Sequence, residues 1–338
     1  MEEAANYTSI LKGHTGGVNS VAFCPNHKRL ILLSAGDDGN IIIWELSPDD
    51  LATAKHARTI KGHGSRINSI AFHPGGNVFA TGSDDCTVKI WELDTDSLNA
   101  ECILTLNNPT KCGCIISVAF SPDGTILATG NVNKSASLWS LNTDERIGTF
   151  ICNLSWDYRS PVFSVAFHQN SDGKLILATT YFSGFGSVKV HEILRTGKSI
   201  VPHEIVTMDT AVQPITSATF HPSGLLATGC GDSTSMIWRQ PYKKSSFPTE
   251  NDTLKGHRRW VSSVEFNSIG DRLVSGSLDC SAIVWRISDE CLATYMATLT
   301  GHTDKVNGVA FHPNSHTVAT ASDDGTVRLW ETFAFEKL

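Results

Sequence analysis

The sequence predicts an all-β chain, a seven-bladed β-propeller of four-stranded antiparallel blades closed by its N-terminal strand, and three observations predict it. A phrase close to Val-Ala-Phe recurs seven times, ending at Phe23, Phe72, Phe120, Phe167, Phe220, Phe266 and Phe311. About nineteen residues later six units carry a tryptophan, at Trp44, Trp91, Trp139, Trp238, Trp285 and Trp330, and the fourth carries His191 instead. No segment sustains a helical period. Repeats of this length are single supersecondary units that bury their apolar faces only by packing on one another.

Each unit reads in the same order. In the first, "GVNSVAF", "LILLSAG" and "NIIIW" are short stretches rich in β-branched residues, as strands are. "FHPGGN" and "FSPDGT" break a first strand from a second with Pro and Gly, and "DDGN" and "DDGT" suit a tight hairpin between second and third. A fourth β-like stretch precedes each new unit: "ARTIKG", "CILTLN", "RIGTFI", "EIVTMD", "NDTLKG" and "YMATLTG". Seven such sheets fit radial packing around a channel. The chain opens with "NYTSILKGH", a fourth strand with no sheet before it, and ends just after a third strand. This leaves an unpaired strand at the start and a three-stranded unit at the end, two open edges within one expected propeller domain over 1–338.

The Gly-His, Trp-Glu and Asp-Gly signatures at these spacings resemble the WD-repeat β-propeller family over essentially the whole chain, with Trp-Glu or Trp-Arg where the family has Trp-Asp. Histidine falls nine residues before the phenylalanine at His14, His63, His257 and His302. Aspartate falls six before the tryptophan at Asp38, Asp85, Asp232, Asp279 and Asp324, with a hydroxyl four residues earlier at Ser34, Thr81, Thr228, Ser275 and Thr320. The resemblance implies that residues 6–12 complete the last blade and close the ring, and that four units hold buried tetrads, completed by Trp44, Trp91, Trp285 and Trp330. A His-Asp-Ser set also invites a hydrolase reading, but four copies cannot all be active sites and the hydroxyl sits mid-strand with no nucleophile elbow. No catalytic residue is expected, and the chain is read as not an enzyme. Unit four departs most, with Tyr158, Phe185 and His191 at the histidine, aspartate and tryptophan positions. Units three (Lys111, Asn133) and five (Ala211) have lost parts of theirs.

Composition narrows the classes. A formal net charge of −7 argues against a surface built mainly to grip nucleic acid or anionic lipid. "MEEAANYTSI" has no apolar core, so no secretory signal is read, and no apolar run is long enough to span a bilayer. Nine cysteines at irregular spacing point to reduced thiols and a cytoplasmic and/or nuclear location. His73, His168, His221 and His312 follow the phenylalanine in four different units and cannot converge on one metal, and "CGC" at 112–114 lacks partner ligands. Neither metal nor cofactor is expected. "TGCGDS" and "SGFGS" read as hairpin turns rather than phosphate loops.

Subtracting the repeat leaves the functional candidates. Trp156 and Trp260 are the two tryptophans outside it, both in loops from a fourth strand to the next first strand. Those loops share the top face with the hairpins that carry the aspartates. In the family, residues at the start of the innermost strand rim the channel there. The expected partner-binding set is Trp260, Arg259, Arg258, Phe163, Arg66, Lys305, Trp156 and Leu278, with an acidic sector at Asp37, Asp84 and Asp323. Tryptophan and arginine are the residues most enriched at binding hot spots. The plainer alternative is that Trp260 packs on its own loop. The expected function is a non-catalytic scaffold or adaptor, a monomeric propeller within a hetero-complex, binding peptide segments or other proteins. The alternative is a phosphoinositide- or nucleic-acid-binding propeller using basic loops, although no Phe-Arg-Arg-Gly motif is present. The polar loop 239–252, with Lys243 and Lys244, falls on the opposite face.

Overall fold

A computed structural model of the chain describes residues 4–5, 8–25, 29–47, 53–107, 113–155, 160–182, 186–196, 199–209, 213–239, 253–313 and 316–332. Lys111, Trp156, Tyr158, Phe185, Ala211, Lys243 and Lys244 lie outside the described residues. The strands form seven sheets of antiparallel blades, six of which run in chain order from an inner to an outer strand. The inner strands are Val18–Phe23, Ile67–Phe72, Ile115–Phe120, Val162–Gln169, Ile215–Phe220, Val261–Phe266 and Val306–Phe311. Each touches the next, and the seventh touches the first, so the propeller closes. Blade seven takes its outer strand from the N-terminus: Ser9–Lys12 runs antiparallel to Thr326–Glu331, with Leu11 opposite Val327. One feature is not foreshadowed by the repeat: Ala4–Ala5 runs parallel to Thr298 and Leu299, adding a fifth strand to blade six.

The cores lie between blades. Trp44, Leu32 and Phe23 of blade one pack with Ala319, Val327 and Leu329 of blade seven and Leu11 of the N-terminal strand. This is why a single blade cannot stand alone.

Every inner strand carries a β-bulge at its second residue, which leaves that residue unpaired in the ladder. A bulge re-aims its side chain. The bulged residues are Asn19, Asn68, Ile116, Phe163, Thr216, Ser262 and Asn307, the predicted channel rim. The next residue is serine in six blades, and its Oγ accepts an amide proton from the following blade: Ser20 from Ile70, Ser69 from Val118, Ser117 from Val165 and Ser164 from Ala218. Ser217 and Ser263 do the same for Val264 and Val309. These bonds satisfy amides on the channel edge that no ladder pairs.

Candidate functional site

The four predicted tetrads form. In blade seven Trp330 Nε1 donates to Thr320 Oγ1 (2.9 Å), which lies 2.7 Å from His302 Nε2, and His302 Nδ1 lies 2.7 Å from Asp324. The same chain links Trp44, Ser34, His14 and Asp38; Trp91, Thr81, His63 and Asp85; and Trp285, Ser275, His257 and Asp279. Burial pushes His302 below its ordinary 6.5 despite the raising influence of Asp324. Burial alone would raise Asp324, but hydrogen bonds from Thr326 and His302 outweigh it and hold the carboxyl below 3.8. Each tetrad carboxylate also caps its own hairpin, as Asp324 does for the Thr326 amide and hydroxyl. The hydroxyls and histidines are thus consumed by one another inside the blade, as the tetrad reading expects.

The partial units are explained locally. In blade five Thr228 still receives Trp238 Nε1 at 2.9 Å. In blade three Thr129 donates to Asn131 instead, and Trp139 Nε1 has no partner. In blade four His191 stands opposite Leu177, as Trp91 stands opposite Phe79. Thr179 donates to the buried Tyr181 hydroxyl at 3.3 Å, and burial depresses His191 to about 4.

On the top face, seven backbone bonds of 2.8–3.0 Å tie each second hairpin to the loop before its inner strand. The hairpin donors are Asp37, Asp84, Val132, Phe182, Gly231, Leu278 and Asp323, and the loop acceptors are Gly17, Arg66, Cys114, Pro161, Pro214, Trp260 and Lys305. Blade four contributes Phe182 here. Counting back from His191 by the spacing of the other units would have put Gly184 in that place, because the second hairpin of this blade is two residues longer.

The rim divides by chemistry. Over blades seven, one and two, Asn307, Asn19 and Asn68 bond Asp323, Asp37 and Asp84 at 2.6–2.8 Å and also donate to carbonyls of the next blade, Val18, Ile67 and Ile115. Arg66 lies 2.8 Å from Asp37, and Lys305 lies 3.3 Å from Asp323. Four predicted contact residues (Arg66, Lys305, Asp84 and Asp323) therefore already have partners within the rim. Over blades three to six the same positions are apolar or small: Ile116, Val132, Phe163, Phe182, Gly231 and Leu278, with Thr216 and Ser262, whose hydroxyls donate to the Val261 and Val306 carbonyls of the next blade.

Phe163 stacks on Phe182 at 4.9 Å, and Phe182 meets Trp260 at 5.9 Å, which joins blade four to the loop entering blade six. Trp260 lies over Gly231: a Cβ there would stand 3.3 Å from Trp260 Cε2 and 3.3 Å from Pro214 Cδ. Where other blades carry aspartate, glycine makes room for an indole. Trp260 remains 37 % exposed. Together with Phe163, Leu278 and Ile116 it lines a channel mouth enclosing about 390 Å³. Arg258 and Arg259 are exposed beside it, on a backbone held by Arg258 N–H to Asp279 (2.8 Å) and by Ser277 to the Arg259 carbonyl (3.0 Å).

Some residues that matter carry no sequence signal of their own, or one that is easily misread. Phe182 stands out in the sequence only as an added aromatic of unit four, open to apolar repacking or to a sticky surface, since the longer hairpin shifts it off register. The first-hairpin histidines staple blades: His73 packs edge-on against Phe120 and His221 against Phe266, and His221 Nε2 lies 2.8 Å from the Gly270 carbonyl. His168 stacks on Phe220, and His312 meets Phe23 across the closing joint. Their regular recurrence one residue past the phenylalanine is the signal for that role. Glu265, where most units have alanine, accepts the Phe311 amide at 3.3 Å. Among the described residues no group of three or more His, Cys, Asp or Glu could hold a metal, and no helix is long and apolar enough to cross a membrane.

The WD40 family (WD domain, G-beta repeat) matches residues 5–45, 54–92, 100–140, 204–239, 249–286 and 293–331. The chain belongs to the WD40 family. The six matches skip the fourth blade, the one whose tetrad is replaced. Among curated relatives, a subunit of chromatin assembly factor 1 from Gallus gallus is 26% identical over 201 residues, covering 54% of this chain and 34% of that protein. The beta chain of a guanine nucleotide-binding protein from Zea mays is 37% identical over 109 residues, covering 31% and 28%. THO complex subunit 3 of Arabidopsis thaliana is 43% identical over 79 residues, covering 23% and 25%. This WD40 chain thus matches about a third or less of the length of these relatives, all of them named as subunits.

Proposed function

We propose that this WD40 chain is a non-catalytic scaffold, a single propeller domain that serves as one member of a larger assembly in the cytoplasm and/or nucleus. Its top face docks peptide segments or partner proteins. The observation that carries this reading is the confinement of apolar rim residues to blades three to six, where a half-exposed Trp260 lies on Gly231 against Phe182 and Phe163. A ledge of this kind offers a large apolar contact and an indole donor to a partner, because the packing on Gly231 and Phe182 still leaves part of the Trp260 ring open at the channel mouth. Kinship with proteins named as subunits of assemblies supports the same reading.

The test is co-purification with substitutions on one face. Trp260→Ala with Arg259→Ala is expected to leave circular dichroism and melting nearly intact while weakening the partner by roughly thirtyfold, about 2 kcal/mol. Gly231→Asp is a sharper probe. It installs the residue that Asp37, Asp84 and Asp323 already place in this position, so the blade tolerates it, yet it unseats Trp260. Ile269→Ala, on the exposed first hairpin of blade six at the other end, is the matched control. Loss of partner in the control, with retention in the top-face variants, would reverse the assignment of faces.

A further inference from the structure

Several arginines are engaged by the molecule itself. Toward the end opposite the top face, arginines bracket neighbouring blades: Arg29 donates to the Thr95 and Asp96 carbonyls and Arg239 to those of Glu290 and Cys291. Arg146 meets Glu92 at 3.0 Å, and Arg195 meets Asp123 at 2.5 Å. On the top face Arg66 and Lys305 are engaged with Asp37 and Asp323. Beside the ledge on that same face, Arg258 and Arg259 are not engaged in this way. Both are exposed, and among the described residues neither guanidinium has an acceptor, although the loop beneath them is fixed by three bonds to the blade-six hairpin. A backbone fixed beforehand removes the loop's share of the ordering entropy when the pair meets an anion, leaving only that of the two side chains. The pair sits at the edge of the apolar ledge, one and two residues from Trp260.

We infer that the top face selects an acidic peptide segment, with carboxylate or phosphate side chains against Arg258 and Arg259 and a neighbouring apolar side chain on the Trp260–Phe182–Phe163 ledge. The inference rests on the top-face reading proposed above and adds the chemistry of the ligand. Arginine forks match carboxylate and phosphate oxygens in pairs, and the ledge supplies the apolar area that two exposed ion pairs alone would lack. A long polyanion fits poorly. Nucleic acid or an anionic membrane laid across this face would also cover Asp37, Asp84 and Asp323, in a chain whose formal net charge is already −7. A short acidic segment reaches the arginines and stops before that sector.

The test pans a phage-displayed library of random decapeptides on the immobilised full chain and measures the best binder by fluorescence polarisation. The expected consensus places Asp or Glu within a few residues of one large apolar residue. Arg258→Glu with Arg259→Glu is expected to weaken that peptide at least tenfold, with melting unchanged, and raising salt from about 50 to about 300 mM should weaken it further. Phosphoserine in place of the key glutamate separates the two anion sources: tighter binding assigns phosphate, equal or weaker binding assigns carboxylate. Selected peptides without acidic enrichment, or indifferent to the charge reversal but lost in Trp260→Ala, overturn the inference and leave the docking face standing. Peptides indifferent to both changes sink the docking face as well. Failure to enrich any peptide overturns the inference, as does tighter arginine-dependent binding of a single-stranded 20-mer oligonucleotide or of phosphoinositide-containing vesicles.

Discussion

At each intact tetrad a histidine is held between a carboxylate and a hydroxyl, and the stability this brings depends on every member having its partner. Removing one end leaves the rest buried and unsatisfied. Asp324→Ala is therefore expected to cost about 1–3 kcal/mol, read from denaturant midpoints, with no change in partner binding. The indoles allow a finer comparison. Trp330 Nε1 has an acceptor and Trp139 Nε1 has none, so Trp330→Phe should cost about 1 kcal/mol more than Trp139→Phe beyond any packing difference. The pH dependence follows the same groups. His63 and His302 are held below 6.5 by burial, so the unfolded chain takes up protons first as pH falls, and stability declines on acidification below 6.5. Asp38, Asp85 and Asp324 are held below 3.8, burial being outweighed by their hydrogen bonds, which adds a second loss as pH falls below that value. Glu265 runs the other way. Burial raises its carboxyl to about 8, against the lowering influence of the Phe311 amide, so its contribution is complete below 4.5 and is lost as pH rises toward 8. Glu265→Gln should flatten the melting-temperature profile between pH 4.5 and about 8, and an unchanged slope there would place the titration elsewhere.

Strands and joints are the next scale, where hydrogen bonds between blades do what ladder bonds do within them. Six channel serines each take an amide from the next blade, but at the seven-to-one joint the position is Gly308. Restoring serine there looks like repair, yet a Cβ on Gly308 would stand 2.9 Å from the Asn19 carbonyl oxygen and 3.2 Å from Ser20 Cα. Those are backbone atoms that cannot swing away. Gly308→Ser is thus expected to destabilise by about 1–3 kcal/mol in thermal melts, against the repeat's own preference. The closing strand allows a coarser test: deleting residues 1–12 exposes the edge of Thr326–Glu331 and should give aggregated protein by light scattering. The strands, their order and the closure could be read from the spacing of Phe23, Trp44 and their repeats, because a period reports what every unit must do to pack. The bulge that turns Asn19 toward the next blade could not, since a ladder slip leaves no mark on composition. Phe182 was legible as a surplus aromatic of unit four but not as a rim residue, because its hairpin breaks the period it would have been counted by. Trp260 stood out by being surplus to the repeat, but its seat depends on Gly231, a residue of another blade that carries no signal of its own.

For the whole ring, symmetry makes the departures informative. Blades seven, one and two hold complete tetrads and asparagine rim bonds to the next blade, and blade six holds a complete tetrad with a rim bond from Ser262 to Val306 at 2.5 Å. At blades three and four the rim residues are Ile116 and Phe163, which cannot donate, and the tetrads are replaced. The same replacement that removes those bonds supplies the apolar ledge, so the face proposed to bind is built from the sector with the fewest polar ties. Part of the loss is offset. Ser117 and Ser164 still take amides from the next blade, and Lys189 lies 3.3 Å from Glu204 in the outer half of blade four. At about 1 kcal/mol per missing bond, opening of this sector should be favoured by roughly fivefold or more over the opposite side of the ring. Native-state hydrogen exchange is expected to show amides of Val162–Gln169 exchanging faster than those of Ile67–Phe72 and Val306–Phe311. An acidic, apolar-anchored peptide should slow exchange in that sector by bridging Phe163 and Phe182 to Trp260, while leaving blades one and two unchanged. Equal protection around the ring without ligand would mean that apolar stacking there makes up for the lost hydrogen bonds in full.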